Sequence, residues 1–138
     1  MDINSSIYLF TTFTTRHRDN LDKLMKAIGL HGGQVFILNT LWQNDGSSQA
    51  DLGKSLQLAP PTIYNMVKRL AENGFVRIVK DQRDSRVMRV FLTRKGLEIK
   101  DEVLNQWQEL ERQTFSNLTE PEKLMFAMLL EKVVTGKT

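Results

Sequence analysis

The chain has 138 residues, 41% of them hydrophobic and 25% charged, the make-up of one globular domain with a sizeable core. With no cysteine and only two histidines, it excludes disulfides and thiol-based oxidation sensing and argues against a zinc site. The net charge of +3 is unevenly placed: residues 54–96 hold ten Lys/Arg against three Asp/Glu, and both flanks are slightly acidic. Such a block suits either a polyanionic partner or a plain solvated face.

Taken in chain order, the apolar residues Ile3, Ile7, Phe10, Phe13, Leu21, Leu24, Met25 and Ile28 recur at gaps of three and four, which predicts an amphipathic first helix stopping at Gly29. A second helix is expected after Gly32-Gly33, carrying Val35, Phe36, Leu38, Leu41 and Trp42, with Asn44-Asp45-Gly46 as the turn that ends it. Ser48 opens a short third helix with Ala50, Leu52 and Leu56 apolar, and Asp51 stands at capping-box spacing from it. After the turn Gln57-Leu58-Ala59, Pro60-Pro61 begin a fourth helix that runs to Asn73 and stops at Gly74. Its buried stripe is Ile63, Met66, Val67 and Leu70.

The period then changes to alternation. Residues 75–79 and 87–92 read as two strands around the charged loop 80–86. Thr93 caps a following helix with Leu97, Val103, Trp107 and Leu110 on one side. Thr119 and Glu122 form a capping box for the last helix, with Pro121 in its first turn. The fold expected is mainly α with a small β-hairpin: a winged helix-turn-helix core at 34–96, flanked by terminal helices at 1–28 and 97–138, in a single domain of 1–138.

Two helices joined by a three-residue turn invite comparison with the helix-turn-helix, whose second helix lies in the major groove. On the face of the fourth helix opposite its apolar stripe stand Pro61, Thr62, Asn65, Lys68 and Arg69, with Tyr64 on the flank. Asn can pair bidentately with adenine, Thr can meet a thymine methyl, and Lys and Arg can take phosphate or guanine. Any solvated helix face is also polar, so this pattern alone is only moderately specific. The hairpin adds to it, because from Arg77 to Lys95 there are seven cations and two anions. Arg83 and Arg86 at the tip, with Arg89 on the second strand, are candidate contacts, and an arginine suits a narrow minor groove. Asp84 would be repelled by phosphate, so it is expected to shape the loop or orient an arginine. Arg94 and Lys95 sit in a first helical turn, where cations oppose the dipole by roughly 0.3–1 kcal/mol each; a nearby phosphate backbone would explain them.

Several stretches together resemble the MarR family (multiple-antibiotic-resistance regulators). These are Gly29-Leu30 with 34–38, then Ser48–Gly53, then Leu58–Ile63 with Leu70. Most specific is Asp84-Ser85-Arg86 followed by Leu92-Thr93 and Gly96, similar to the family's wing signature. The resemblance implies an obligate homodimer built by the terminal helices and bound to double-stranded DNA at a pseudo-palindromic operator. It further implies a ligand-responsive repressor, with Arg86 as the minor-groove arginine and Asp84 as its structural partner. Small aromatic or amphipathic effectors would enter a cleft between the dimerisation helices and the winged core, but no effector-binding residue is assigned. Arg16, His17 and Arg18 are near enough to be considered, although a charged run is usually solvated and His17 reads better as a satisfied core histidine. Two positions depart from the family: Ala59, which cannot cap, stands where Ser or Thr is usual, and Tyr64 and Asn65 stand where Thr and Arg are common. Operator preference therefore does not carry over.

The last helix carries Leu124 through Val134 with an apolar stripe too wide for one buried face, an independent reason to expect a dimer. Candidate dimerisation residues are Ile7, Phe10, Trp107, Leu118, Phe126, Leu129, Leu130 and Val133. No phosphate-binding glycine loop, nucleophile-base spacing or metal-ligand cluster occurs, so neither catalysis, nor a cofactor, nor a metal is expected. No apolar run reaches membrane-spanning length and the start lacks a signal-peptide pattern, so a cytoplasmic protein without membrane contact is expected. The alternatives left open are a winged-helix module for protein assembly and a nonspecific DNA binder.

Overall fold

A computed structural model describes residues 5–136. Ile3, counted in the first apolar stripe, lies outside the described residues. The elements are α1 (Ser6–Lys26), α2 (Gln34–Gln43), α3 (Gln49–Leu56), α4 (Pro60–Glu72), β1 (Val76–Lys80), β2 (Met88–Leu92), α5 (Arg94–Glu98), α6 (Lys100–Phe115) and α7 (Glu120–Thr135). Helix starts follow cap chemistry. The Ser48 hydroxyl accepts from the Asp51 amide at 3.0 Å, and the Thr93 hydroxyl accepts from the Gly96 amide at 3.1 Å. Thr119 and Glu122 satisfy each other's backbone in a closed capping box. Caps of this kind each stabilise by about 1 kcal/mol.

One hydrophobic cluster holds the winged core together. α2 contributes Val35, Ile37, Leu38 and Leu41, and α4 contributes Ile63, Val67 and Leu70. The hairpin closes over them through Phe75, Val76, Val90 and Leu92. It is antiparallel, with Val76 opposite Leu92 and Lys80 opposite Met88. Leu21 and Met25 of α1 join Val103 and Leu110 of α6 in the same cluster, and the Gln106 amide donates to the Leu24 carbonyl at 2.8 Å.

The structure corrects the sequence reading in places. The helix after Thr93 divides at Ile99 into α5 and α6, although Ile99 keeps helical dihedrals. Leu97 is 57% exposed, while Gly96, Ile99 and Val103 are buried. Spacings of three and four from Gly96 define the inward line, and Leu97 falls off it. In α2, Ile37 is buried and Phe36 exposed. Ala50 is exposed and Met66 is half-buried. The ladder starts at Val76 rather than Phe75 and resumes at Met88 rather than Val87.

α7 has no buried residue in the isolated chain. Only Phe126, Leu130 and the Lys123 stem are half-buried. The Phe126 ring meets Phe13 and Phe115 edge-on at 5.7 and 5.6 Å, which fixes α7 against α1 and the end of α6. Among the described residues no helix is long and apolar enough to cross a membrane.

Candidate nucleic-acid interface

α3 and α4 are joined by a tight turn. Gln57 takes the left-handed conformation (φ 55°, ψ 44°), and the Leu58 amide donates to the Gly53 carbonyl at 3.0 Å. α4 then starts at Pro60-Pro61 behind Ala59, which makes no side-chain cap. Burying Ile63, Val67 and Leu70 turns the opposite face outward. Pro61, Thr62, Tyr64, Asn65, Lys68 and Arg69 are all exposed. No hydrogen bond or ion pair holds any of these side chains among the described residues. The structure thus brings the six sequence-predicted positions onto one free polar face.

The wing stands beside that face. Arg86 is 89% exposed at its side chain, and its Nε and Nη2 donate to the two carboxylate oxygens of Asp84 at 3.1 and 3.2 Å. The Arg86 amide adds a third bond to Asp84 at 3.0 Å. Donation from Arg86 holds the Asp84 carboxyl below the usual carboxylate range. Asp84 thus bonds both the backbone and the guanidinium of an arginine that still faces solvent. The Arg83 side chain is also exposed and makes no side-chain bond among the described residues.

Arg89 is placed differently from Arg83 and Arg86. Its Nε donates to the Asp81 carboxylate at 2.8 Å and its Nη1 to the Gly46 carbonyl at 3.1 Å, so the guanidinium turns back toward the body. Asp81 went unnoticed in the sequence. Its other oxygen accepts the amides of Arg83 and Asp84 at 3.2 and 3.1 Å, and Arg89 holds its carboxyl below the usual range. The available signal was an aspartate just ahead of a loop, a residue that commonly caps amides two and three positions on. Between α3, the start of α4 and the base of the wing lies a trough of about 510 Å³, edged by Gln49, Lys54, Pro60, Arg86 and Met88.

The cations opening α5 need no phosphate to explain them. Lys95 Nζ donates to the Asn73 carbonyl at 2.7 Å and lies 4.4 Å from the Phe75 ring centroid. It thus supplies a positive charge at the C-terminal end of α4, where the dipole favours one. Arg94 pairs with Glu98 at 3.1 Å.

In the terminal helices, Ile7, Phe10, Trp107, Leu129 and Val133 are exposed, from 39% for Trp107 to 75% for Val133. Leu118, Phe126 and Leu130 are half-buried. Arg16 and Arg18 are exposed. His17 stacks on Phe13 with ring centroids 5.9 Å apart, but its Nδ1 is buried without a hydrogen-bond partner among the described residues, so it is not the satisfied core histidine expected. The groove beside it is lined by Phe13, Trp107, Phe115 and Phe126 together with Glu111 and Thr114. Among the described residues no cluster of three or more His, Asp or Glu is placed to hold a metal.

The model of the MarR family matches residues 30–88. The chain is similar to the HTH-type transcriptional regulator TtmR of Methylorubrum extorquens, 37% identical over 67 residues; that match spans 49% of this chain and only 34% of TtmR. It is 31% identical over 100 residues to the uncharacterized HTH-type transcriptional regulator YsmB of Bacillus subtilis, covering 72% of this chain and 68% of YsmB. It is 29% identical over 118 residues to the HTH-type transcriptional repressor IacR of Pseudomonas putida, covering 86% and 71%. Among solved structures, a variant of MarR from E. coli complexed with operator DNA superposes with a TM-score of 0.81 at 23% identity, over 91% of this chain and 90% of that one. BpsR of Bordetella bronchiseptica, whose DNA binding is regulated by 6-hydroxynicotinic acid, superposes with a TM-score of 0.85 at 21% identity, over 97% and 96%. These superpositions establish the winged-helix fold.

Proposed function

The chain belongs to the MarR family, and we propose from that premise that it is a homodimeric transcription regulator that binds a specific pseudo-palindromic operator. The observation that carries this reading is the free polar face of α4 beside the solvent-facing Arg86, within the basic block 54–96. α4 enters the major groove. Asn65 pairs with an adenine edge, Thr62 meets a thymine methyl, and Lys68 and Arg69 take phosphate or guanine. Pro61 and Tyr64 border the same contact. Arg86, with Arg83 beside it, enters the flanking minor groove. Phosphate neutralisation makes the affinity steeply salt-dependent.

The dimer reading rests on the uncovered apolar helices. A 16-residue helix with no buried side chain has little to hold it in isolation, and a second copy supplies the missing surface. The sense of regulation is proposed as repression, the role named for IacR. Response to a ligand is proposed through a cavity of about 240 Å³ between α2 and α6, edged by Phe36, Trp42, Trp107 and Lys100. Three aromatic walls and one ammonium suit a planar ring carrying a negative charge. The protein acts by binding, without catalysis.

Selection of bound sequences from random duplex DNA tests this. The expected product is an inverted repeat with half-site centres about one helical turn apart. Failure to enrich any sequence would contradict the regulator reading and leave a nonspecific binder or an assembly module.

A further inference from the structure

The ladder of the hairpin ends at Lys80 and Met88, and everything that carries Arg86 lies beyond it. A two-stranded ribbon is a weak platform by itself. Two side chains compensate. Asp81 uses one oxygen for the amides of Arg83 and Asp84 and the other for Arg89 Nε. The same Arg89 guanidinium reaches the Gly46 carbonyl, in the turn that leads into α3. That turn is seated on β2. Its Gly46 amide donates to the Val90 carbonyl at 3.0 Å, and the Val90 amide donates to the Ser47 carbonyl at 2.9 Å. A Cβ on Gly46, at φ +83°, would stand 2.8 Å from the Phe91 ring, so only glycine lets the turn lie so close. A continuous chain of bonds therefore runs from the turn before α3 through Arg89 and Asp81 to Asp84 and Arg86.

We propose that Arg89 and Asp81 form a positioning brace that sets the reach of Arg86 relative to α4, and that Arg89 is not itself a DNA contact. This rests on the DNA-binding reading above. Nε and Nη1 of Arg89 are committed to Asp81 and Gly46, which turns the guanidinium back from the wing tip, and drawing it out onto a phosphate would take the counter-ion from an Asp81 carboxylate that is only 21% exposed. Arg86 differs in that its side chain is already 89% exposed, and the Asp84 carboxylate is more open to water, at 39%, and also accepts the Arg86 amide.

The test is a double-mutant cycle on affinity for the selected duplex, using Asp81→Asn, Arg89→Gln and the pair, with Arg89→Lys beside them. A brace predicts that each single change weakens binding about five- to tenfold and that the pair is no worse than either. It also predicts an unchanged salt slope and no rescue by Arg89→Lys, since an ammonium cannot span both acceptors as the planar fork does. A direct contact predicts the reverse. Arg89→Gln would lower the salt slope by about one, Arg89→Lys would keep most of the affinity, and Asp81→Asn would strengthen binding; those results would overturn the proposal. Amide exchange at Arg83 and Asp84 needs no DNA. It should accelerate about tenfold or more in Arg89→Gln, and unchanged exchange would overturn the brace whatever the affinity does. A wild-type protein that binds no duplex, with exchange still responding to Arg89→Gln, would defeat the DNA-binding reading and leave the brace standing.

Discussion

The indole N–H of Trp42, near the end of α2, donates to the carbonyl of Gly96 in α5 at 2.9 Å. With the Lys95–Asn73 bond, it ties the helix-turn-helix body to the segment that carries the chain from the wing into the terminal helices. Trp42→Phe keeps an aromatic ring but leaves the Gly96 carbonyl without its donor. The expected loss is about 1–3 kcal/mol, read as a lower denaturant midpoint at unchanged m. An unchanged midpoint would mean that the bond contributes nothing net.

Gly96 faces a second constraint from the opposite side. A Cβ there would overlap the Phe75 carbonyl oxygen and stand 3.1 Å from a Leu92 methyl. Backbone cannot step aside as a side-chain tip does. Gly96→Ala should therefore cost about 3 kcal/mol, the upper part of the range for overpacked sites. Thermal unfolding checks this; a variant as stable as the parent would show that α5 moves freely against β1.

The terminal helices make a separate prediction. Leu129 and Val133 are 55% and 75% exposed on a helix with no fully buried residue. Leu129→Glu with Val133→Glu should be nearly neutral in a monomer and should break a dimer. Sedimentation equilibrium should give a dimer for the parent and a monomer for the double variant. A monomeric parent would contradict the proposed assembly.

The wing carboxylates should resist protonation. Asp84 and Asp81 both titrate below the usual carboxylate range, because Arg86 and Arg89 respectively donate to them. A carboxyl held low when folded lends its stabilisation above its unfolded pKa and loses it as pH falls through the folded one. The loop should therefore stay ordered through neutral and mildly acidic pH and loosen only below the ordinary carboxylate range. Carboxyl-carbon chemical shifts against pH check it. Titration of either group at or above an ordinary aspartate value would show that the arginine bonds do not persist in solution.

Much of this was legible in the sequence because it is local. The stripe Ile63, Val67 and Leu70 is a helical period, and it places Thr62, Asn65 and Lys68 on the opposite side. The Thr119–Glu122 box is a four-residue pattern that the structure closes as read. What escaped depends on distance or register. Arg89 looks like one more wing cation until the hairpin register brings it beside Asp81 and the turn at Gly46. Lys95 looks misplaced at a helix start until α4 is seen to end against it. Leu97 looks like one more core residue because it is apolar, but it stands six residues from Val103, off the helical spacing, and the close seat of Gly96 under Phe75 puts Gly96 on the inward line instead.

The proposed role of Arg86, solvent-facing and bonded to Asp84, is to take part in binding operator DNA together with the free face of α4. The most direct measurement is affinity for the selected duplex against salt concentration, for the parent and for Arg86→Ala. The expected result is a well-folded variant that binds more weakly, with a salt slope lower by about one. Equal affinity and equal slope in the two proteins would contradict it.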